Sequence, residues 1–338
     1  FGNDGYMGTA ITKRGNKKLT WETTSEFNIG LDLGFFDNRI SLSMEYYNRI
    51  ISDLLVSNKS LPAYNEINTI AANIGKTQGR GFELTLSTVN IMNKDWTWST
   101  DFTFYTFKDN WYERDPNWKP AAYESKKDPI RSYYSYVSDG LLQVGEKAPA
   151  WQPTLVPGQI KLKNLYDTGT SPNVLDQYDK VNLGSQDPKC TLGLNNTLRY
   201  KNLNFNIYFY GEIGRLRGAS YYDAWIVGLG NSLTNVSQQS LHSYTNANQN
   251  TTVPNLIESA YDFGDYYHKK INYLRCRNIT LGYTIPVSKS IANSVRISAN
   301  VSNPFVFTNW NGVDPETDTG NFSYPNVTSF SFGIDISF

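Results

Sequence analysis

The closing stretch SFSFGIDISF, residues 329–338, alternates strictly between apolar and small or polar side chains. Successive side chains of a β-strand point to opposite faces, so this stretch predicts a strand with one wholly apolar face and one polar face. The apolar face would pack on the core of a soluble sandwich or contact lipid outside a barrel, and one strand does not separate the two. The apolar residues are Phe330, Phe332, Ile334, Ile336 and Phe338.

The composition argues against several classes of protein. The 338 residues carry 31 Lys and Arg against 31 Asp and Glu, so the chain lacks the basic field that nucleic acid binding requires. Cys190 and Cys276 are the only cysteines and lie far apart, which excludes a disulfide framework. No apolar run reaches the roughly 20 residues of a membrane helix. Aromatic residues make up 14% of a chain whose mean hydropathy is -0.48, a combination that suits half-buried strands joined by long loops.

The same alternation recurs many times along the chain. Clean examples are FNIGLDLGF (27–35), RISLSMEYY (39–47), FELTLST (82–88), WTWSTDFTF (96–104), LNFNIYFY (203–210) and SVRISANVS (294–302). TLGLNNTLRY (191–200) and YLRCRNITLGY (273–283) alternate less cleanly. With the closing stretch they predict about nine strands of roughly ten residues, the length at which a tilted strand crosses a membrane. The apolar faces carry almost no charge, as a lipid-facing stripe requires.

Short and long connections take turns between these strands. The short ones are 36–40, 91–95, 199–203 and 286–293, and the long ones are about 56–78, 109–189, 214–270 and 304–326. An up-and-down barrel produces this order because one rim carries the turns and the other the long loops, whereas a soluble Greek-key sandwich has no reason to keep it. The sequence therefore predicts an all-β, antiparallel, up-and-down transmembrane β-barrel, with the sandwich as the alternative.

Counting the strands predicts a partial barrel. If the long loops lie outside the cell, the strand that begins near Trp21 starts outside and Phe338 ends in the periplasm. Bacterial barrels have an even number of strands and both chain ends inside. Residues 1–338 are therefore interpreted as the C-terminal part of a larger barrel, and the start at Phe1, without an initiator Met or a signal peptide, is interpreted as that of a fragment or a processed piece.

Several stretches resemble the SusC/RagA group of TonB-dependent outer-membrane transporters. They are LTWETTSEF through SDLL (19–55), NIGKTQGRGFELTL (73–86), PGQIKLKNL (157–165), GSQDPKCTLGLNNTLRYKNLNFNIYFYGEIG (184–214), YLRCRNITLGYTIP (273–286) and SYPNVTSFSFGIDISF (323–338). The resemblance runs over nearly the whole chain in the family's order. It implies a barrel of 22 strands closed by an N-terminal plug domain, with the plug and the TonB box outside this chain.

The resemblance also implies a function and a set of partners. The family imports oligosaccharides or peptides across the outer membrane of Gram-negative, Bacteroidetes-like cells. Its members work with TonB through the plug region and with a SusD-like surface lipoprotein, commonly as a dimer of such pairs in outer-membrane lipid. Two alternatives stay open at this point: a soluble β-sandwich that binds glycans, and a passive porin or adhesin barrel.

Metal, cofactor and catalytic sites are not predicted. The family often carries a calcium-like loop after PGQIKLK, but residues 164–179 here read NLYDTGTSPNVLDQYD and lack its spacing of oxygen ligands. His242 and His268 suggest no catalytic geometry, and we interpret His268 as a solvated loop residue. The pairs Asp314 with Glu316 and Glu113 with Asp115 are likewise interpreted as acids that solvate loops. We expect a protein that is not an enzyme.

Aromatic clusters in the long loops are the candidate contacts for substrate or for the lipoprotein partner. Rings offer a large contact area and, in Tyr and Trp, a polar group as well. They also fold loops onto themselves or form the girdle at a membrane interface, so both interpretations stand. The candidates are Trp111, Tyr112, Trp118, Tyr133, Tyr134, Tyr136, Tyr221, Tyr222 and Trp225. At the chain end Gly333, Ile336 and Phe338 resemble the assembly signal of outer-membrane barrels.

Overall fold

The computed structural model describes residues 15–60, 69–116, 119–166, 173–218, 238–257, 261–287, 293–312, 314–317 and 324–338. Regular structure in these residues is almost entirely β-strand, with short 3-10 turns at Gln177–Asp179 and Gln238–His242. No helix in this part of the chain has the length and apolar character needed to span a membrane. The fold is antiparallel and all-β, which confirms the predicted class.

Nine long strands form one antiparallel sheet in the order β1-β2-β5-β6-β11-β12-β13-β14-β15. This number agrees with the nine strands predicted from alternation. Six shorter strands lie in the long connections, where β3 pairs with β4, β7 with β10 and β8 with β9. The strands are β1 (Thr23–Phe35), β2 (Ile40–Ser52), β3 (Leu55–Ser60), β4 (Thr69–Asn73), β5 (Lys76–Met92), β6 (Trp96–Glu113), β7 (Ser132–Ser135), β8 (Ser138–Leu141), β9 (Ile160–Leu162), β10 (Val181–Ser185), β11 (Cys190–Tyr200), β12 (Leu203–Gly218), β13 (His268–Ile285), β14 (Ser294–Thr308) and β15 (Ser329–Ser337).

Each strand of the large sheet pairs with the next sheet strand along the chain, which is the up-and-down order. Short connections at 36–39, 93–95, 201–202 and 286–293 join β1 to β2, β5 to β6, β11 to β12 and β13 to β14. Long connections at 53–75, 114–189, 219–267 and 309–328 join the remaining neighbours. Because the pairing is antiparallel throughout, all short connections meet at one rim and all long connections at the other. These are called the short rim and the long rim below.

Along one surface of the large sheet the pairing register places most apolar residues beside apolar residues. Phe332 pairs with Ala299, which pairs with Leu281, which in turn pairs with Phe205. This surface is called the apolar face, and it is exposed: Phe332 is 84% and Phe330 69% accessible. No second layer of the described structure covers it, whereas a soluble sandwich would bury it. The apolar face therefore favours a membrane barrel over the sandwich.

The opposite surface, called the polar face, is joined across strands by side-chain hydrogen bonds. Asn206 of β12 donates to Asn195 of β11 over 2.7 Å, and Asn195 donates to Asp101 of β6 over 3.4 Å. Ser87 of β5 donates to the other carboxylate oxygen of Asp101 over 2.8 Å. This chain links four neighbouring strands, and such a face suits a hydrated interior.

A small polar group interrupts the apolar face near the short rim. The Asn196 side-chain oxygen accepts from Trp98 Nε1 at 3.1 Å and from Thr100 Oγ1 at 2.7 Å. Asn90 in turn donates to Thr100 Oγ1 over 2.8 Å. These polar atoms satisfy one another, which lowers the cost of placing them beside apolar surroundings. Aromatic rings lie at the same rim, where Trp96 packs on Tyr200 with centroids 4.3 Å apart, as in an interfacial girdle.

The sheet is open in this chain. Within the described residues β1 and β15 are its two edge strands, and each pairs with a neighbour on one side only. A barrel has no free edge, because backbone groups without partners are costly in lipid. The nine strands therefore form part of a barrel wall.

Candidate functional site

The long rim carries a small folded unit built from two of the long connections. Its buried core comprises Leu141, Ile160 and Leu162 from connection 114–189 and Tyr244 from connection 219–267. Gln152 is fully buried beside this core, where its amide accepts from the backbone N–H of Leu162 over 2.7 Å. The Tyr244 hydroxyl accepts from the backbone N–H of Val144 over 3.0 Å, which ties the two connections together. The rim is thus covered by packed structure.

A cavity of about 420 Å³ lies between this unit and the sheet. Three long connections contribute to its lining: Ser138 comes from 114–189, Thr252 from 219–267 and Asn311 from 309–328. The rings of Tyr266 and Trp310 also line it. Its volume lies within the range of small-molecule sites, about 300–1,000 Å³.

The chemistry of the cavity combines rings with hydrogen-bond donors. The Tyr266 hydroxyl donates to the carbonyl of Thr252 over 2.6 Å, which fixes the ring against the wall. Lys269 adds an ammonium group and Asn311 an amide. Rings offer stacking surface to flat or puckered ligands, and the donors suit hydroxyl and carbonyl oxygens. The cavity therefore offers ring surface and hydrogen-bond donors to a ligand that carries oxygen acceptors.

His268 lies at the wall of this cavity and is not the solvated loop residue expected from the sequence. It begins β13, is half-buried, and its ring stacks on Tyr133 with centroids 4.4 Å apart and planes 25° apart. Burial lowers the pKa of His268 below its ordinary value, because burial disfavours the charged imidazolium. The lowered pKa favours the neutral imidazole, and the ring packs between β7 and β13.

A group of buried ion pairs joins the polar face to connection 309–328. Arg275 of β13 contacts Asp314 at 2.7 Å and Glu316 at 3.1 Å, and Arg277 contacts Glu316 at 2.9 Å. The side chains of Arg275 and Asp314 are only 4% and 5% exposed. We call these four residues the ion-pair cluster. The expectation that Asp314 and Glu316 solvate a loop is wrong, because their charges are paired inside the protein.

The ion-pair cluster fixes the path of connection 309–328. The Asp314 carboxylate accepts from the backbone N–H groups of Glu316 at 2.8 Å and Asn326 at 3.1 Å. Burial by itself raises the pKa of Asp314, but these two N–H groups and the Arg275 charge hold it below its ordinary value. The Asn326 amide also donates to Glu316 over 2.8 Å. Both ends of the connection are thus held to β13, and Trp310 is held at the cavity wall.

The predicted aromatic candidates have different surroundings. Tyr133 stacks on His268, the Tyr134 hydroxyl donates to Asp128 over 2.7 Å, and the Tyr136 ring lies 5.2 Å from the Lys180 ammonium. Tyr134 and Tyr136 therefore hold connection 114–189 in place. Trp111 lies under the Arg114 guanidinium at 5.4 Å, whereas Tyr112 is 59% exposed. Trp118, Tyr221, Tyr222 and Trp225 lie outside the described residues.

None of the described aromatic candidates lines the cavity, and the rings that do were missed by the sequence analysis. Tyr266 and Tyr267 stand beside His268 in DYYHKK, and Trp310 lies two residues after the end of β14. Their positions next to strand ends at the long rim would have identified them. Arg275 and Arg277 were missed as well, although two arginines on the polar face of one strand call for acidic partners.

The segment compared with a calcium loop contains a buried carboxylate with backbone partners. Asp179 accepts from the N–H groups of Leu165 at 2.6 Å and Tyr166 at 3.1 Å, and from that of Asp176 at 3.0 Å. Asp167 and Thr168 fall outside the described residues. In the parts of the chain that are described, no group of three or more acidic, His or Cys side chains has metal-site geometry. That no metal binds here stays a prediction.

The last residues of the chain continue the sheet. Gly333 pairs with Ser298 and Ile336 pairs with Val295, while Phe338 follows the end of β15 and is 87% exposed. A Cβ at Gly333 would lie 2.9 Å from the Ser298 hydroxyl oxygen, so a small residue fits there best. Their function as an assembly signal stays a prediction.

Comparison with known proteins agrees with this architecture. The family model described as TonB dependent receptor-like, beta-barrel matches residues 1–303. TonB-dependent receptor P3 of Formosa agariphila is 28% identical over 100% of this chain and 36% of its own length. TonB-dependent receptor SusC of Bacteroides thetaiotaomicron is 27% identical over 99% of this chain and 34% of its own length. The chain thus spans about a third of the length of these relatives.

Solved structures show the same fold. The RagAB peptide transporter superposes with a TM-score of 0.77 at 24% identity and covers 100% of this chain and 38% of its own. The RagAB peptide importer in its open-open state superposes with a TM-score of 0.79 at 23% identity, over 99% of this chain and 37% of its own. At these identities the likeness shows the fold alone.

Proposed function

This chain belongs to the TonB-dependent receptor-like β-barrel family, and we propose that it forms the C-terminal wall of an outer-membrane nutrient importer of the SusC type. Proteins of this family are receptors and transporters of the outer membrane, and this chain is part of such a barrel. We propose that the apolar face contacts lipid, the polar face lines the interior, and the long rim points out of the cell. A plug domain with a TonB box would lie in a part of the protein outside this chain.

One observation carries the proposed transport function. The cavity at the long rim is assembled from three separate long connections, and the ion-pair cluster holds one of them, 309–328, against the polar face. A ligand in that cavity would therefore lie at the outer mouth of the barrel interior. This is the position from which an importer passes its substrate inward, whereas a structural barrel has no use for a cavity there.

The substrates we propose are oligosaccharides or peptides, taken up with energy supplied through TonB. Stacking rings such as Tyr266 and Trp310 and the donors of Lys269 and Asn311 would bind their hydroxyl and carbonyl oxygens. A SusD-like surface lipoprotein is the proposed partner, seated on the folded unit at the long rim, and the pairs would form a dimer. We propose no catalytic step, because import needs binding and release of an unchanged substrate.

The test uses the full-length protein in its own cells. A strain lacking the gene is grown on a panel of oligosaccharides and peptides beside the wild-type strain. A compound that supports growth of the wild type but not of the deletion strain is taken as the substrate. Its uptake is then measured in deletion strains that carry the wild-type gene or a variant. We expect uptake to require TonB and to weaken at least about tenfold for Trp310→Ala, because stacking and packing are lost together. Tyr178→Ala is the matched control, since Tyr178 is exposed in connection 114–189 and does not line the cavity.

Two results would contradict the proposal. Uptake that continues undiminished without TonB would show a passive porin. A full-length protein that stays monodisperse in buffer without detergent would show that the apolar face does not contact lipid, in favour of a soluble glycan-binding module.

A further inference from the structure

A second cavity, of about 410 Å³, lies at the long rim beside the apolar face and contains three lysines. Lys108 comes from β6, Lys189 directly precedes β11, and Lys270 comes from β13. Three lysines that are far apart along the chain thus line one cavity. This cavity is separate from the ring-lined cavity, with which it shares no lining residue.

Strand alternation places two of these lysines on the apolar face. Phe104, Thr106 and Lys108 alternate along β6 on that face. Leu274, Asn272 and Lys270 do the same along β13. Each of these two lysines stands four residues from the nearest large aliphatic or Phe side chain on the apolar face of its strand, Phe104 or Leu274. That is about 13 Å along the strand and about 10 Å along the membrane normal at the usual tilt. That is the level of the lipid headgroups, and lysine side chains readily extend along such a boundary.

Two glycines leave space for the side chains of Lys189 and Lys270. Gly214 has φ +77°, and a Cβ there would come within 2.9 Å of Lys189 Cγ and Cδ. Gly184 has φ +136°, and a Cβ there would lie 3.3 Å from Lys270 Cε. Both glycines line the cavity. Side chains at these two positions would crowd the methylene chains of Lys189 and Lys270, so the glycines leave room for both lysines.

The charge balance of the cavity favours an anion. Among the described residues Lys108, Lys189 and Lys270 form no ion pair, whereas Asp187 is paired with Arg131 at 2.6 Å. The remaining carboxylate, Asp109, accepts from the backbone N–H of Ile130 over 3.3 Å. Three lysines without ion pairs that line one cavity are a favourable site for the concentrated negative charge of a phosphate.

We propose that Lys108, Lys189 and Lys270 bind the phosphate group of an outer-leaflet lipid headgroup against the outside of the barrel wall. The proposal rests on the orientation given under the proposed function, in which the long rim lies outside the cell. It adds a lipid site that is independent of the nutrient. The bound lipid would hold connection 114–189, which supplies Gly184 and Lys189, at a fixed height above the membrane.

The experiment compares lipid binding by the full-length protein in detergent with binding by variants. Native mass spectrometry measures retention of a phosphorylated outer-leaflet glycolipid and of the same lipid after enzymatic removal of phosphate. At about one kcal/mol per lysine near a membrane surface, the triple change of Lys108, Lys189 and Lys270 to Gln is expected to weaken retention of the phosphorylated lipid about a hundredfold. The dephosphorylated lipid should bind wild type as weakly as the phosphorylated lipid binds the variant.

The matched control changes three other exposed lysines of the long rim, Lys119, Lys126 and Lys127, to Gln, which alters the net charge equally. Equal loss in this control, or no loss in the first variant, would overturn the proposal. Competition by inorganic phosphate at the concentration of the lipid would assign the site to soluble phosphate and overturn the lipid assignment. Nutrient uptake measured in parallel separates the two proposals, because uptake without lipid retention contradicts only this one.

Discussion

Arg275 provides the sharpest test of how the long rim is organised. Replacing it with Met keeps most of the side-chain volume and removes the charge that faces Asp314 and Glu316. These carboxylates are 5% and 10% exposed, so without Arg275 they remain buried while losing one of the positive charges that stabilise them. Breaking a buried ion pair by removing one partner costs about 3–5 kcal/mol. We expect this loss to lower the free energy that holds connection 309–328 against the polar face.

The assay is hydrogen exchange in the full-length protein. The backbone N–H groups of Glu316, Thr317 and Asn326 donate to the Asp314 carboxylate, which Arg275 holds in place, so these amides should exchange faster when Asp314 loses that partner. A loss of about 3 kcal/mol in docking accelerates their exchange on the order of a hundredfold, at 1.4 kcal/mol per decade. Amides within β13 and β14 should keep their protection.

Two further variants complete the test. Adding Asp314→Asn to Arg275→Met should cost less than the sum of the single changes, because the two groups interact directly. Arg49→Met is the matched control, since Arg49 also pairs with a glutamate, Glu26 at 2.6 Å, but its side chain is 48% exposed. Exchange at Asn326 no faster in Arg275→Met than in Arg49→Met would refute the structural role assigned to the ion-pair cluster.

Three other predictions follow from the same structure. Burial lowers the pKa of His268, so docking of β7 on β13 should weaken as the pH falls below about 6.5, the pKa of an unfolded histidine. The weakening is measured as faster proteolysis of connection 114–189. In the His268→Gln variant the rate of proteolysis should not depend on pH in this range. Ile279→Arg, on the apolar face, should lower the free energy of unfolding by about 2–4 kcal/mol and reduce the amount of folded protein found in outer membranes. Thr280→Arg, on the polar face, should leave that amount unchanged. Phe338→Ala should lower the amount of assembled barrel several-fold in heat-modifiability gels, and Phe36→Ala, which changes another exposed ring at a turn, should not.

The strands were predictable because their pattern is local. In β15 apolar and small or polar residues alternate at every second position. Phe332 pairs with Ala299, and Ala299 pairs with Leu281, so neighbouring strands place their apolar residues on the same face. Lipid on one side and water on the other impose this period on each strand separately. No distant contact is needed to recognise it.

The interior of the long connections was not predictable in the same way. Arg275 and Asp314 are 39 residues apart, and nothing in the sequence near either residue identifies its partner. The same holds for the stack of Tyr133 on His268, which joins connection 114–189 to β13. Short strands such as β8 and β9 have three or four residues, too few for a periodic pattern. These features depend on tertiary packing, which overrides the ordinary preference of acids and histidines for solvent.

The contacts of β15 with its surroundings test the central claim most directly. In the full-length protein with Cys190 and Cys276 replaced by Ser, single cysteines at Phe330 to Asp335 are spin-labelled in outer-membrane vesicles. We predict a period of two: labels at Phe330, Phe332 and Ile334 meet oxygen dissolved in lipid, and those at Ser331, Gly333 and Asp335 meet a water-soluble relaxation agent or are shielded. Equal access of the water-soluble agent to both sets would contradict a lipid-facing barrel wall.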